Sequence, residues 1–138
     1  MSEKRILVID DEPDVCRYLA RLFQEHGYSA ACATDGYAAA DEVKHARPDL
    51  ITLEPSMADK SGLKFYREMK TTPELSSVPI IFVTVSPWPA GSPRGVERTH
   101  GTGLPAPPDG YAAKPIDPDE ILGLVGRLIS ARQAAASH

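Results

Sequence analysis

The stretch DLITLEPSM, residues 49–57, is an aliphatic and β-branched run that ends in one carboxylate, Glu54, and is halted at once by Pro55. A short apolar run with no polar alternation fits a strand covered on both faces, as in a parallel sheet. In such sheets ligands gather at the carboxyl ends of the strands. Glu54 stands at that end, so it either performs chemistry, holds a metal, or occupies the seat of a chemically active group.

Working outward, RILVI (5–9) is a second strand of the same kind, running into Asp10 and Asp11. From Pro13, suited to a first helical position, Val15, Leu19, Leu22 and Phe23 recur at helical spacing until Gly27 offers a stop. SAACAT (29–34) reads as a strand, and YAAADEVKHA after Gly36 as a helix ending before Pro48. Beyond Glu54, Leu63, Tyr66 and Met69 mark a helix over 62–70, and VPIIFVTV (78–85) is the clearest strand of all. Last come YAAKP, a short strand candidate, and a helix over IDPDEILGLVGRLISARQ. In that helix Asp117 is the expected N-cap, Pro118 the first residue and Glu120 the closing member of a capping box. Ile121, Leu124, Val125, Leu128 and Ile129 are its expected buried face. Strands alternating with helices at this spacing predict an α/β fold, a doubly wound five-stranded parallel sheet with right-handed crossovers.

The 138 residues suffice for one domain with a proper core, and 42% hydrophobic with 25% charged residues is ordinary for a globular protein. A net charge of −4 gives no attraction to nucleic acid or to an anionic membrane, so neither is an expected partner. The N-terminus turns acidic after too short an apolar run for a signal peptide, and no stretch is long enough to span a bilayer. A cytoplasmic location is expected. Cys16 and Cys32, without a CxxC or a His at ligand spacing, read as small buried residues.

One segment breaks the rhythm. In SPWPAGSPRGVERTHGTGLPAPPDG (86–110), 11 of 25 residues are Pro or Gly, which a regular crossover helix cannot accommodate. The fourth crossover helix is therefore expected to be shortened or replaced by a loop, with VERTH supplying at most one turn. Trp88, between Pro87 and Pro89, reads either as a partner anchor or as a ring folded back over the sheet. The tail, 133–138, is expected to be flexible, leaving one domain over 1–132.

Four features fall at strand ends: Asp10 with Asp11, Glu54, Thr84 and Lys114. Clustered carboxylates repel one another, and a hard cation such as Mg²⁺ is the usual remedy. A hydroxyl and an ammonium opposite them suit a phosphoryl group. Each piece has a blander reading: a solvated acidic turn, a polar strand end, a surface lysine.

The ordered set ILVIDDEPDV, PDLITLEPSM, VPIIFVTV and GYAAKPIDPDEIL resembles the receiver domain of two-component response regulators over residues 5 to about 132. That resemblance implies a flavodoxin-like fold and a signalling role, not an enzyme. It implies that Asp10, Asp11 and Glu54, with the Ser56 carbonyl, form the Mg²⁺ position. Thr84 and Lys114 match the phosphoryl-contacting positions, Tyr111 the aromatic switch, and Pro115 suggests a cis bond after Lys114. A histidine kinase or a downstream signalling protein is the implied partner; the oligomeric state is left open.

Departures from the family pattern matter as much. Glu54 stands where receivers carry the phosphoacceptor aspartate, and its extra methylene moves the charge outward by about 1.5 Å, against the geometry of in-line attack. Asp49 and Asp59 are poor substitutes, one at the far end of the strand, about 17 Å away, the other in the loop beyond. Val85 replaces the usual small residue and narrows the approach, Pro55 and Ala58 alter the following loop, and 86–110 replaces the usual output face. The expected function is a stand-alone atypical receiver, a pseudo-receiver in two-component signalling. It would bind a protein partner without phosphorylation at the usual site, Glu54 either mimicking the phosphorylated state or merely neutralising Lys114. The alternative is a working phosphorelay acceptor that uses Glu54 or another residue.

Overall fold

The structure, a computed structural model, describes residues 3–85 and 106–136. Nine elements follow in chain order: β1 (Arg5–Ile9), α1 (Pro13–Glu25), β2 (Ser29–Ala33), α2 (Gly36–His45), β3 (Leu50–Leu53), α3 (Ser61–Thr71), β4 (Ile80–Val85), β5 (Gly110–Lys114) and, as the fourth described helix, α4 (Pro118–Ala136). All strand pairings are parallel, in the order β2-β1-β3-β4-β5. This is the doubly wound parallel sheet that the alternation predicts, in the flavodoxin-like order that the resemblance implies.

The order explains where a site can form. From β1 the chain moves outward to β2, then returns across β1 to β3, so the connections diverge between β1 and β3. A crevice opens at their carboxyl ends. Hydrogen bonding continues one residue past each strand: the Asp10 amide donates to the Ala33 carbonyl at 3.1 Å, and the Glu54 amide to the Ile9 carbonyl at 2.9 Å. Both acids are therefore held by sheet backbone, not by loop.

Alternation along the strands builds two cores. Leu7, Ile9, Ile51, Leu53, Ile80 and Phe82 face α2 and α3, whereas Ile6, Val8, Leu50, Ile81 and Val83 face α1 and α4. Strands buried on both faces are apolar at most positions, which is why they stand out in the sequence. Local signals fix the helix ends. Gly27 takes φ +92 just past α1; the Asp35 carboxylate accepts from the Ala38 amide at 2.7 Å; and Asp117 Oδ1 accepts from the Asp119 and Glu120 amides at 3.0 and 3.2 Å. On α4, Ile121, Val125 and Ile129 are buried, and Leu124 and Leu128 partly so.

Two expectations differ from the structure. Cys32 is exposed, because β2 is an edge strand and α1 leaves part of it open, while Cys16 is buried as expected. The last helix runs to Ala136, past the expected end of the domain at 132, the alanines of the tail being strong helix formers. The expected loss of the fourth crossover helix and the reading of Trp88 fall within residues 86–105, outside the described residues.

Where the chain re-enters at Ala106, it is tied down before β5 begins. The Tyr66 hydroxyl donates to the Ala106 carbonyl at 2.9 Å, and Asp109 Oδ2 accepts from Lys70 Nζ at 2.9 Å and from the Ile80 amide at 2.8 Å. Thr52 Oγ1, buried on the central strand, has no hydrogen-bond partner among the described residues. Because Thr52 faces the apolar side between Val8 and Ile81, Thr52→Val is expected to raise stability by about 1 kcal/mol. The urea midpoint would rise with an unchanged m-value, and an unchanged or lower midpoint would contradict the assignment.

Candidate functional site

The site is assembled around one cation. Lys114, the last residue of β5, places Nζ 2.9 Å from Asp10 Oδ2 and 2.9 Å from Glu54 Oε1, with Glu12 Oε2 at 3.4 Å. Asp10 and Glu54 are almost fully buried, and the lysine side chain is only 13% exposed. Other donors complete the setting. The Ser56 amide and hydroxyl both donate to Glu54 Oε2, at 3.0 and 2.7 Å, and Ser56 Oγ lies 3.4 Å from Thr84 Oγ1. Asp10 Oδ1 accepts from the Glu12 amide at 2.9 Å. The Lys114–Pro115 bond is cis.

The two carboxylates respond differently. Burial raises the Asp10 carboxyl above its usual range, and neither the Glu12 amide nor Lys114 fully offsets that. Burial acts the same way on Glu54, but the Ser56 amide, Lys114 and the Thr84 and Ser56 hydroxyls outweigh it and hold this carboxyl below its usual range. For Lys114 burial lowers the ammonium pKa, and hydrogen bonds to Asp10 and Glu54 more than restore it, so it stays protonated.

The candidates from the sequence are thus only partly brought together. Asp10, Glu54, Thr84 and Lys114 converge, and Ser56 joins them through its amide and hydroxyl. Asp11 turns its Oδ2 to the Ala58 amide at 3.3 Å. Tyr111 is 41% exposed and sets its ring edge-on against Phe82. Val85, opposite Lys114 in the strand register, is exposed. The rejected substitutes are engaged elsewhere: Asp59 Oδ1 accepts from the Ser61 amide and hydroxyl, and Asp49 from the Arg5 amide and from Arg132. Glu12 escaped the sequence reading because an acid beside a helix-starting proline looks like ordinary helix chemistry. The signal for its role was its position directly after the acidic pair.

A sequence model of the response regulator receiver domain matches residues 6–125. The chain belongs to that family. The receiver is 36% identical over 126 residues to protein Rrf1 of Nitratidesulfovibrio vulgaris, covering 91% of this chain and 83% of that protein. It is 26% identical to the phosphate regulon transcriptional regulatory protein PhoB of Escherichia coli, covering 88% of this chain but only 50% of that longer protein. Among solved structures it is similar to the signal receiver domain of a signal transduction histidine kinase from Syntrophus aciditrophicus. That similarity has a TM-score of 0.76 and 28% identity, over 93% of this chain and 91% of the other.

Receivers as a family bind Mg²⁺ at this edge of the sheet. In the arrangement seen here the donors do not fit a divalent ion. The Lys114 ammonium lies between Asp10 and Glu54, Asp11 Oδ2 is engaged by the Ala58 amide, and no three His, Cys, Asp or Glu side chains are placed for a metal among the described residues. The receiver's charge balance at this edge rests on Lys114.

That balance gives a signed expectation. Lys114→Met would leave two buried carboxylates facing each other, costing about 3–5 kcal/mol near neutral pH. In the variant both carboxyl pKa values would lie above their unfolded values, so the loss would shrink as pH falls and they protonate. Urea unfolding of both proteins at neutral and mildly acidic pH checks this; a loss independent of pH would contradict it. Glu12→Gln, removing an exposed partner, should change stability by less than about 1 kcal/mol.

Proposed function

We propose that this receiver is a pseudo-receiver: a two-component signalling module, not an enzyme, that engages a protein partner in a conformation set by the Glu54–Lys114 pair. Phosphorylation of a central aspartate plays no part. The reading takes Glu54 to stand in the seat of the phosphoacceptor, as the resemblance of PDLITLEPSM to the family pattern implies.

One observation carries the reading. Both carboxylate oxygens of Glu54 are engaged, Oε1 by Lys114 and Oε2 by the Ser56 amide and hydroxyl. An attacking oxygen needs a free lone pair aimed along the line of displacement, and its nucleophilicity falls when hydrogen bonds stabilise its charge. The two bonds from Ser56 occupy the lone pairs of Oε2, and the Lys114 ammonium stabilises the charge on Oε1. Glu54 thereby gives Lys114 a permanent anionic partner and keeps Ser56 beside Thr84, contacts that in a phosphorylated receiver a phosphoryl group would make. A histidine kinase or a downstream signalling protein would then meet one standing conformation.

The test uses a small-molecule phosphodonor with Mg²⁺ and intact mass. The wild-type chain is expected to carry no stable phosphoryl adduct, and Glu54→Asp, which shortens the side chain by one methylene, is expected to acquire one. A stable adduct on the wild type would overturn the proposal in favour of a phosphoryl-accepting regulator.

A further inference from the structure

Cys16 lies on the buried face of α1 and Cys32 on β2, the strand that α1 leads into. Along β2, Ala31 and Ala33 pack towards α2 and α3, and Ala30 towards α1 and α4. Strand alternation therefore turns Cys32 to the α1 side of the sheet, the side on which Cys16 is buried. The Cys16 thiol rests on the sheet at that position. Its Sγ is 3.5 Å from the carbonyl of Val8, the register partner of Cys32, and 3.6 Å from the carbonyl of Ala33, the residue after Cys32.

The two thiols differ in access. Cys32 is open to solvent, whereas Cys16 is 2% exposed. They are also the chain's only cysteines, so a bond between them leaves no thiol over. We propose that Cys16 and Cys32 are a redox-sensitive modification site that closes to an intramolecular disulfide on exposure to a low-molecular-weight disulfide.

The steps balance. The Cys32 thiol gives up its proton, and the thiolate attacks one sulfur of the small disulfide; that S–S bond breaks and one small thiol leaves with the proton. The Cys16 thiol then gives up its proton and attacks the Cys32 sulfur, breaking the mixed disulfide and releasing the second small thiol. Two cysteines are oxidised by two electrons in all, and one small disulfide is reduced to two thiols. The order follows from the surroundings. Because Cys16 is buried and Cys32 is open to solvent, a solute disulfide reaches Cys32 first and Cys16 serves as the resolving group. The mixed disulfide on Cys32 is accordingly the species that accumulates first.

The bond would also reach the Lys114 cluster. The Cys16 amide donates to the Glu12 carbonyl at 3.1 Å, and the Ala33 carbonyl accepts from the Asp10 amide at 3.1 Å. A Cys16–Cys32 bridge therefore braces both sides of the turn that carries Asp10 and Glu12.

Treating the folded full chain with oxidised glutathione tests the proposal, with intact mass and a count of free thiols as readouts. Wild type is expected to pass through a single glutathione adduct and finish with no free thiol and a mass lower by about 2 Da, two hydrogens. Its thermal midpoint is expected to rise by several degrees, reversed by reductant. Cys16→Ala should stop at the adduct and Cys32→Ser should not react. Wild type that stops at the adduct, or that closes only after unfolding in urea, would overturn the proposal. This outcome is read on the wild type alone, so it stands even where a variant folds poorly.

Discussion

The ammonium of Lys114, held between two buried carboxylates, is the constraint on which the rest depends. Asp10 and Glu54 come from strands that meet at the switch point of the sheet, and without a cation their charges could not both be buried. The lysine arrives from β5, an edge strand separated from β3 by β4. The pair thus ties the centre of the sheet to its margin. A fold whose strand order brings these ends together gives the cluster its position.

Much of this was legible in the sequence. Strands buried on both faces are dominated by aliphatic and β-branched residues, so RILVI, LITL and IIFVTV are readable directly, and the alternation follows from the helices between them. Asp10, Glu54, Thr84 and Lys114 were recognisable because each stops or nearly stops a strand at the same edge. What could not be read depends on distances that pattern does not carry. Ser56 was assigned through its carbonyl, but its amide and hydroxyl hold Glu54, since a glutamate is long enough to fold back over the next turn. Cys32, with no CxxC or His at ligand spacing, reads as a small buried residue from the sequence. Its exposure comes from lying at the margin of the sheet, which is a property of topology.

Glu54 also shows how one methylene redistributes roles within a site. Its carboxylate is far enough along the side chain to meet Lys114 with one oxygen and Ser56 with the other, so two separate parts of the edge are bridged by one residue. Asp10, shorter and held by sheet backbone, keeps one oxygen on the Glu12 amide and places the other against Lys114. The same charge therefore behaves differently at two neighbouring positions, held ionised at one and discouraged from ionising at the other.

The Asp109 clamp sets where the lysine stands. The carboxylate of Asp109 bonds to Lys70 and to the first residue of β4, and Tyr66 holds Ala106, so the start of β5 is registered against α3 and β4 by local bonds. The position of Lys114 is inherited from that anchor and from the strand pairing beyond it. Lys114 is thus positioned by bonds made at Ala106 and Asp109 and by its pairing with β4, so the charge that balances Asp10 and Glu54 is anchored from both ends of its own strand.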